Sequence, residues 1–191
     1  MINIANRLAR YSQTRLHAVL LLLVLVVSDS VFAKGTYQTG PEFIAEVFGP
    51  AAPSTKSLWL TPEIKKIASG IAQHAIRGIR VRYWQAGDKT AWILDELGKE
   101  LPITTGIVIE SGRITQVKIL TYRESRGGEV RFPAFLAQFV GGMIDEERRL
   151  DRGIDGITGA TISVRAITKT ARLALFYHQL ATASTASTLS A

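Results

Sequence analysis

Two successive strand–turn–strand stretches constrain this chain more than any other feature. Ile79 to Trp84 alternates in character, Gly87-Asp88 follows as a turn, and Thr90 to Leu97 reads as a second strand. Ile103–Ile109 and Arg113–Tyr122 repeat the arrangement around Ser111-Gly112, a hairpin signal. Strands joined by such short turns pair antiparallel. Helical patterns flank them. Thr61-Pro62-Glu63 supplies a hydroxyl cap, a first-turn proline and an acid at the positive helix end, after which Ile64, Ile67, Ile71 and Ala75 recur at helical spacing. Gly159 to about Leu180 reads as a long helix with Val164, Ile167, Ala171, Ala174 and Leu175 on one stripe. The expected fold class is α+β, a mainly antiparallel sheet with packed helices.

The remaining segments are connections. Lys34 to Ser57, with Pro41, Pro50 and Pro53, is expected to be an irregular lead-in holding one short helix around Glu42–Phe48. Glu124 to Arg131 is a polar loop, Phe132 to Val140 a short helix and Gly141 to Arg152 a charged connection. The folded domain is expected over 58–180, and the Ala-, Ser- and Thr-dominated stretch 181–191 as a flexible tail.

Hydrophobic residues at 47% and charged residues at 20% exclude disorder, collagen and coiled coil as the main architecture. Cysteine is absent, which excludes a disulfide framework, a thiolate metal site, an iron–sulfur cluster and a cysteine nucleophile. Three His supply a multi-histidine metal site poorly. Met1–Ala33 has the three parts of a cleavable signal peptide: Arg7, Arg10 and Arg15, the apolar run Ala18–Val27, and Val31-Phe32-Ala33 before the cleavage point. The apolar run is shorter than a spanning helix needs. A periplasmic protein beginning at Lys34 is therefore expected, the alternative being an uncleaved anchor with the domain facing the periplasm. The net charge of +7 then points to anionic ligands or membrane proximity, with no nucleic acid as partner.

Chemistry concentrates in Asp155-Gly156-Ile157-Thr158-Gly159-Ala160-Thr161-Ile162-Ser163, where a loop enters the last helix. Free backbone N–H groups at the positive end of a helix suit a phosphate. Gly159 allows close backbone approach, Ala160 keeps the site open, and Thr158 and Thr161 fall on one side of a first turn. A capped helix, with Thr158 as the cap and the glycines making the turn, accounts for the same residues.

Asp155–Thr161 resembles the D-G-x-[S/T]-G-A-T signature of the FMN-binding domain family, which includes the C subunit of the sodium-pumping NADH:quinone reductase and the G subunit of the Rnf complex. Every constrained position of the signature is met. The resemblance extends over Ile103–Leu180 and implies FMN joined as a phosphoester to Thr161, with Thr158, Gly159, Ala160, Asp155 and Gly156 around the phosphate. It also implies maturation by a periplasmic flavin transferase of the ApbE type, which uses FAD and Mg²⁺. Glu124-Ser125-Arg126-Gly127-Gly128 is partly similar to the family's Glu-Thr-Pro-Gly loop, with Arg126 in place of the proline. That likeness adds Glu124, Arg126 and Gly127 to the expected cofactor-binding residues. Threonine at neutral pH is not a nucleophile by itself, and the sequence shows no base beside Thr161, which fits modification by a separate enzyme. Asp155 repels a phosphate, so it is expected to tie down the turn or to assist the transferase through Mg²⁺.

Several residues admit a structural or a functional reading. Trp59, Tyr83, Trp84 and Trp92 either stack on a flavin ring or fill the core. Arg123 and Arg126 either face the N1 edge of a reduced flavin or belong to a solvated loop. His74 and His178, on predicted helices, are expected at the surface or core edge and not as metal ligands. Asp145-Glu146-Glu147-Arg148-Arg149 is expected to be an exposed face with local ion pairs. No acid–base pair of a substrate pocket is visible, so the expectation is a redox carrier and not a stand-alone enzyme. Its partner by resemblance is a membrane haem or quinone-linked oxidoreductase. The alternatives are a module that binds FMN or another phosphorylated ligand non-covalently, and a redox-silent assembly protein.

Overall fold

The computed structural model describes residues 35–189. The segment Met1–Ala33, expected from sequence to be a signal peptide, lies outside the described residues. Six strands form one sheet in the order β1-β6-β5-β4-β3-β2, with every neighbouring pair antiparallel. They are β1 (Gly35–Thr36), β2 (Lys56–Trp59), β3 (Arg80–Ala86), β4 (Lys89–Leu97), β5 (Pro102–Glu110) and β6 (Arg113–Tyr122). Four helices accompany them: α1 (Gly40–Phe48), α2 (Pro62–Ala72), the short α3 (Pro133–Leu136) and α4 (Thr161–Leu189). The chain is α+β, as its pattern indicates.

Both tight hairpins form where turn chemistry places them. Ser111 and Gly112 have φ of 52° and 72°, the left-handed pair that matches the twist of two-residue hairpins. Thr61 caps α2, its hydroxyl accepting from the Ile64 N–H.

Side-chain alternation sorts the sheet into two faces. Tyr83, Trp92, Ile107 and Val117 are successive cross-strand partners and face α2 and α4. Ala91 and Val108 face the other way and meet Phe43 and Ile44 of α1, together with Leu120. The five α4 residues on the expected stripe are all buried, and Ile167, Ala171 and Ala174 completely so. From Leu173 to His178 the helix is buried on every side, because α2 packs along it and Arg148 lies over the Phe176 ring, 5.5 Å from its centroid.

The structure adds detail in three places. The lead-in supplies one edge strand of the sheet, β1 on β6, and the first two residues of the other, β2 on β3. Such strands are short and mostly solvent-facing, so they carry no apolar alternation to read. Helix α4 continues past Leu180 to Leu189, with Ala181 completely buried. His74 follows the end of α2, beyond Gln73 in the left-handed conformation, and donates to the buried Glu96 carboxylate at 3.0 Å.

Glu46 joins α1 to the sheet by accepting from Lys118 Nζ at 2.7 Å, and also from Gln38 and Gln116. The Lys118 bond leads these in holding its carboxyl down at about 2. A depressed carboxyl stabilises the fold above its unfolded pKa and loses that contribution as pH falls through the folded value. Glu46→Gln is therefore expected to lower stability at neutral pH by at most about 1 kcal/mol, because the pair is solvent-screened. The deficit should shrink from about pH 4.5 towards pH 2, as followed by urea unfolding across that range.

Candidate functional site

The site is built where β6 ends and α4 begins. Tyr122, the last residue of β6, is completely buried, and burial raises its pKa. Its hydroxyl donates to the Arg126 carbonyl at 2.6 Å. A phenol has one proton, so at the second contact, 2.9 Å from Ser163 Oγ, it is Ser163 that donates. One tyrosine thus clamps the 124–127 loop to the first turn of α4. Gly127 sits inside this clamp at φ +80°, and a Cβ there would lie 2.9 Å from the Tyr122 hydroxyl and 3.1 Å from the Ala160 methyl. Only glycine fits both the backbone angle and the space.

Glu124 is 5% exposed. Its Oε1 accepts from the N–H groups of Glu100 at 2.7 Å and Leu101 at 3.1 Å. The carboxylate therefore fastens the β4–β5 turn to the β6 loop. Arg123 is committed in the same way, its Nη1 donating to the Pro102 carbonyl and to Thr104 Oγ1, each at 2.9 Å. Arg126 is exposed, and its side chain has no hydrogen-bond partner among the described residues.

The entry to α4 is a turn closed by the Ala160 N–H on the Ile157 carbonyl at 2.9 Å, with Gly159 at φ +83° in its third position. That angle is the one a type II turn demands. The Ala160 carbonyl accepts from Val164, so Ala160 and not Thr158 is the N-cap. Its methyl group is buried and cannot cap. Among the described residues, no group accepts from the N–H of Thr161, Ile162 or Ser163. Thr161 is the first helical residue, exposed, with its hydroxyl unpartnered among the described residues.

Between these elements lies a cleft of about 650 Å³, within the range of small-molecule sites. Its walls bring together Glu124 and Arg126 from the loop and Gly159, Ala160 and Thr161 from the helix entry. Lys99, Glu100, Ser125, Ile162 and Ser163 also line it. Ser125, Ile162 and Ser163 belong to the two segments singled out in the sequence, whereas Lys99 and Glu100 stand in no motif and are brought in by the β4–β5 turn. Asp155 and Gly156, just before the turn, and Thr158, its second residue, are exposed and do not line the cleft. Thr158 is not on a shared helical turn with Thr161. The Asp155 carboxylate does not tie the turn either; Gln138 does so, its Oε1 accepting from the Asp155 N–H at 2.7 Å.

The four aromatics lie elsewhere. Trp92 is completely buried, stacked on Tyr83 at 4.7 Å and donating from Nε1 to Thr90. Trp84 packs on the α1 face, and Trp59 is 61% exposed on the far edge strand. His178 is not at the core edge but buried, 2.8 Å from Thr90 Oγ1, and burial lowers its pKa. No cluster of metal-ligating side chains occurs among the described residues.

No protein of curated function matches the chain. Residues 98–175 match the family model of the FMN-binding domain. The match begins at the β4–β5 turn that Glu124 fastens and takes in β5, β6, the clamped loop, the helix entry and the first half of α4. Over residues 98–175 the chain is thus similar to the FMN-binding domain family, which supports a flavin-binding role for this stretch.

Proposed function

We propose that the chain is an exported electron-transfer flavoprotein with FMN joined through its phosphate to Thr161. The observation that carries this reading is the start of α4. An exposed threonine hydroxyl without a partner stands on a helix end whose first N–H groups have no cap, beside a cleft of ligand size. Threonine supplies the ester oxygen, and the positive helix end balances the remaining phosphate charge. Bound FMN supplies one- and two-electron chemistry. Around it the chain's own contribution is positional. The Tyr122 clamp holds loop and helix together, and Arg126 brings positive charge to the rim, where Lys99 is paired with Glu100 at 3.8 Å.

Attachment is the work of a flavin transferase of the ApbE type. The Thr161 Oγ–phosphorus bond forms as the bond between the two phosphates of FAD breaks. AMP leaves, and the hydroxyl proton passes to the transferase. Among the described residues no side chain is hydrogen-bonded to the Thr161 hydroxyl, so none is placed to take its proton. The Asp155 carboxylate, exposed just ahead of the turn, suits the Mg²⁺ of the transferase. A membrane haem or quinone-linked oxidoreductase is the proposed electron partner.

A covalent flavin stays with the chain through denaturation, whereas FMN held only by the helix end leaves it. Chain matured with FAD, Mg²⁺ and a flavin transferase should keep its yellow colour in denaturant, with the flavin on the peptide containing Thr161. Colour lost in denaturant would establish non-covalent binding instead. Export is tested separately. N-terminal sequencing should find Lys34 first, and Met1 retained in a membrane fraction would show the anchored form. Among the described residues no helix is long and apolar enough to cross a membrane.

A further inference from the structure

A second cleft, of about 610 Å³, opens along α4 one turn beyond Thr161. Five cationic side chains line it, Arg149, Arg152, Arg165, Lys169 and Arg172, and no carboxylate does. Local ion pairs account for part of this charge. Arg149 meets Asp145 and Glu147, Arg152 meets Asp151, and Lys169 lies 3.9 Å from Glu96. Arg165 and Arg172 have no carboxylate within 4.0 Å among the described residues. They stand seven residues apart on α4, about 10 Å along its axis, with Lys169 between them.

The cations are also held in place. Arg172 donates from Nε to the Arg148 carbonyl at 2.6 Å, and Arg148 adopts φ +60°, a conformation uncommon for a residue with a side chain. That bond fixes the Arg172 guanidinium while leaving its two terminal nitrogens uncommitted. Arg152 is fixed by the Val140 carbonyl at 2.8 Å as well as by Asp151. Packing keeps Arg172 partly desolvated, which lowers its pKa, an effect that the more distant Asp145 carboxylate opposes only in part. Oriented guanidinium groups of this kind match phosphate oxygens in paired hydrogen bonds.

From this arrangement we infer that the α4 cleft is a binding site for a phosphate-bearing anion with at least two negative charges. It is separate from the end of α4 and does not depend on the flavin. The phosphate is that of a soluble molecule or of an anionic lipid headgroup, and the same cations recognise either.

The test is calorimetric titration of the full chain with inorganic pyrophosphate at physiological ionic strength, where diffuse attraction is screened. Saturable binding is expected. Arg172→Gln and Arg165→Gln should each weaken it by about tenfold or more, the loss of charge-assisted hydrogen bonds. Arg165 is exposed and has no partner among the described residues, so its variant tests the site even if Arg172→Gln folds poorly. Thr161→Ala should leave pyrophosphate binding unchanged. Flotation with phosphatidylglycerol-containing vesicles, against phosphatidylcholine alone, then assigns the source. Flotation lost in Arg165→Gln identifies the headgroup, and no flotation identifies a soluble ligand. Absence of saturable pyrophosphate binding, indifference to both arginine substitutions, or loss in Thr161→Ala would each overturn the inference.

Discussion

Thr161→Ala is expected to give a folded but colourless protein after exposure to FAD, Mg²⁺ and a flavin transferase. The loss of bound flavin should be near total, because no other oxygen occupies the same position. Thr158 lies in the preceding turn, outside the cleft lining, and Ser163 is buried with its proton on Tyr122. The fold should survive. The Thr161 hydroxyl makes no hydrogen bond among the described residues, and alanine is the better helix former. Absorbance near the flavin maximum after denaturation measures the cofactor, and the unfolding midpoint measures the fold. Thr161→Ser separates chemistry from shape, since it restores a hydroxyl at the same place and should regain colour. Colour retained in Thr161→Ala, or flavin mapped to Thr158 or Ser163, would refute the assignment.

The parts of this protein that were legible in sequence are those governed by local rules. Ser111-Gly112 announces its hairpin because two left-handed residues are what that turn needs, and Thr61 announces α2 because a hydroxyl meets an uncapped N–H. The α4 stripe was equally plain, since a helix lying on a sheet must bury one face. The edge strands β1 and β2 were illegible for a physical reason: they are held by backbone pairing at the rim of the sheet, which leaves no mark on side-chain pattern. The site divides along the same line. The approach to α4 is one continuous segment, so its signature could be read. The Tyr122–Ser163 clamp spans 41 residues, and neither residue type is rare enough to announce a partner at that distance. Thr158 shows the limit of a local rule. It is a good capping residue in a good capping position, yet Gly159 turns the chain so that the helix starts two residues later, under Ala160.

Glu124→Ala should have a large effect on stability, and its outcome separates a scaffold role from a ligand role. The buried carboxylate accepts from two backbone N–H groups of the β4–β5 turn, and Gly98 lies so close that a Cβ there would come within 2.5 Å of Oε1. Hydrogen bonds to a charged group contribute roughly 1.5–3 kcal/mol each, but the two share one oxygen and are not additive. A loss of about 3 kcal/mol is therefore expected on urea unfolding. The substitution also releases Lys99 and Glu100, which form one wall of the cleft. Flavin attachment at Thr161 should slow for that reason, without being abolished. Glu124→Gln keeps a carbonyl oxygen for the same two donors, so it should recover more than half of the lost stability and restore the attachment rate. A carboxylate acting directly on the cofactor predicts the opposite pattern: Glu124→Gln would fold like the parent yet fail in flavin attachment as badly as Glu124→Ala. Comparing the two variants by unfolding midpoint and by rate of flavin incorporation decides between them, because only the scaffold role ties the two measurements together.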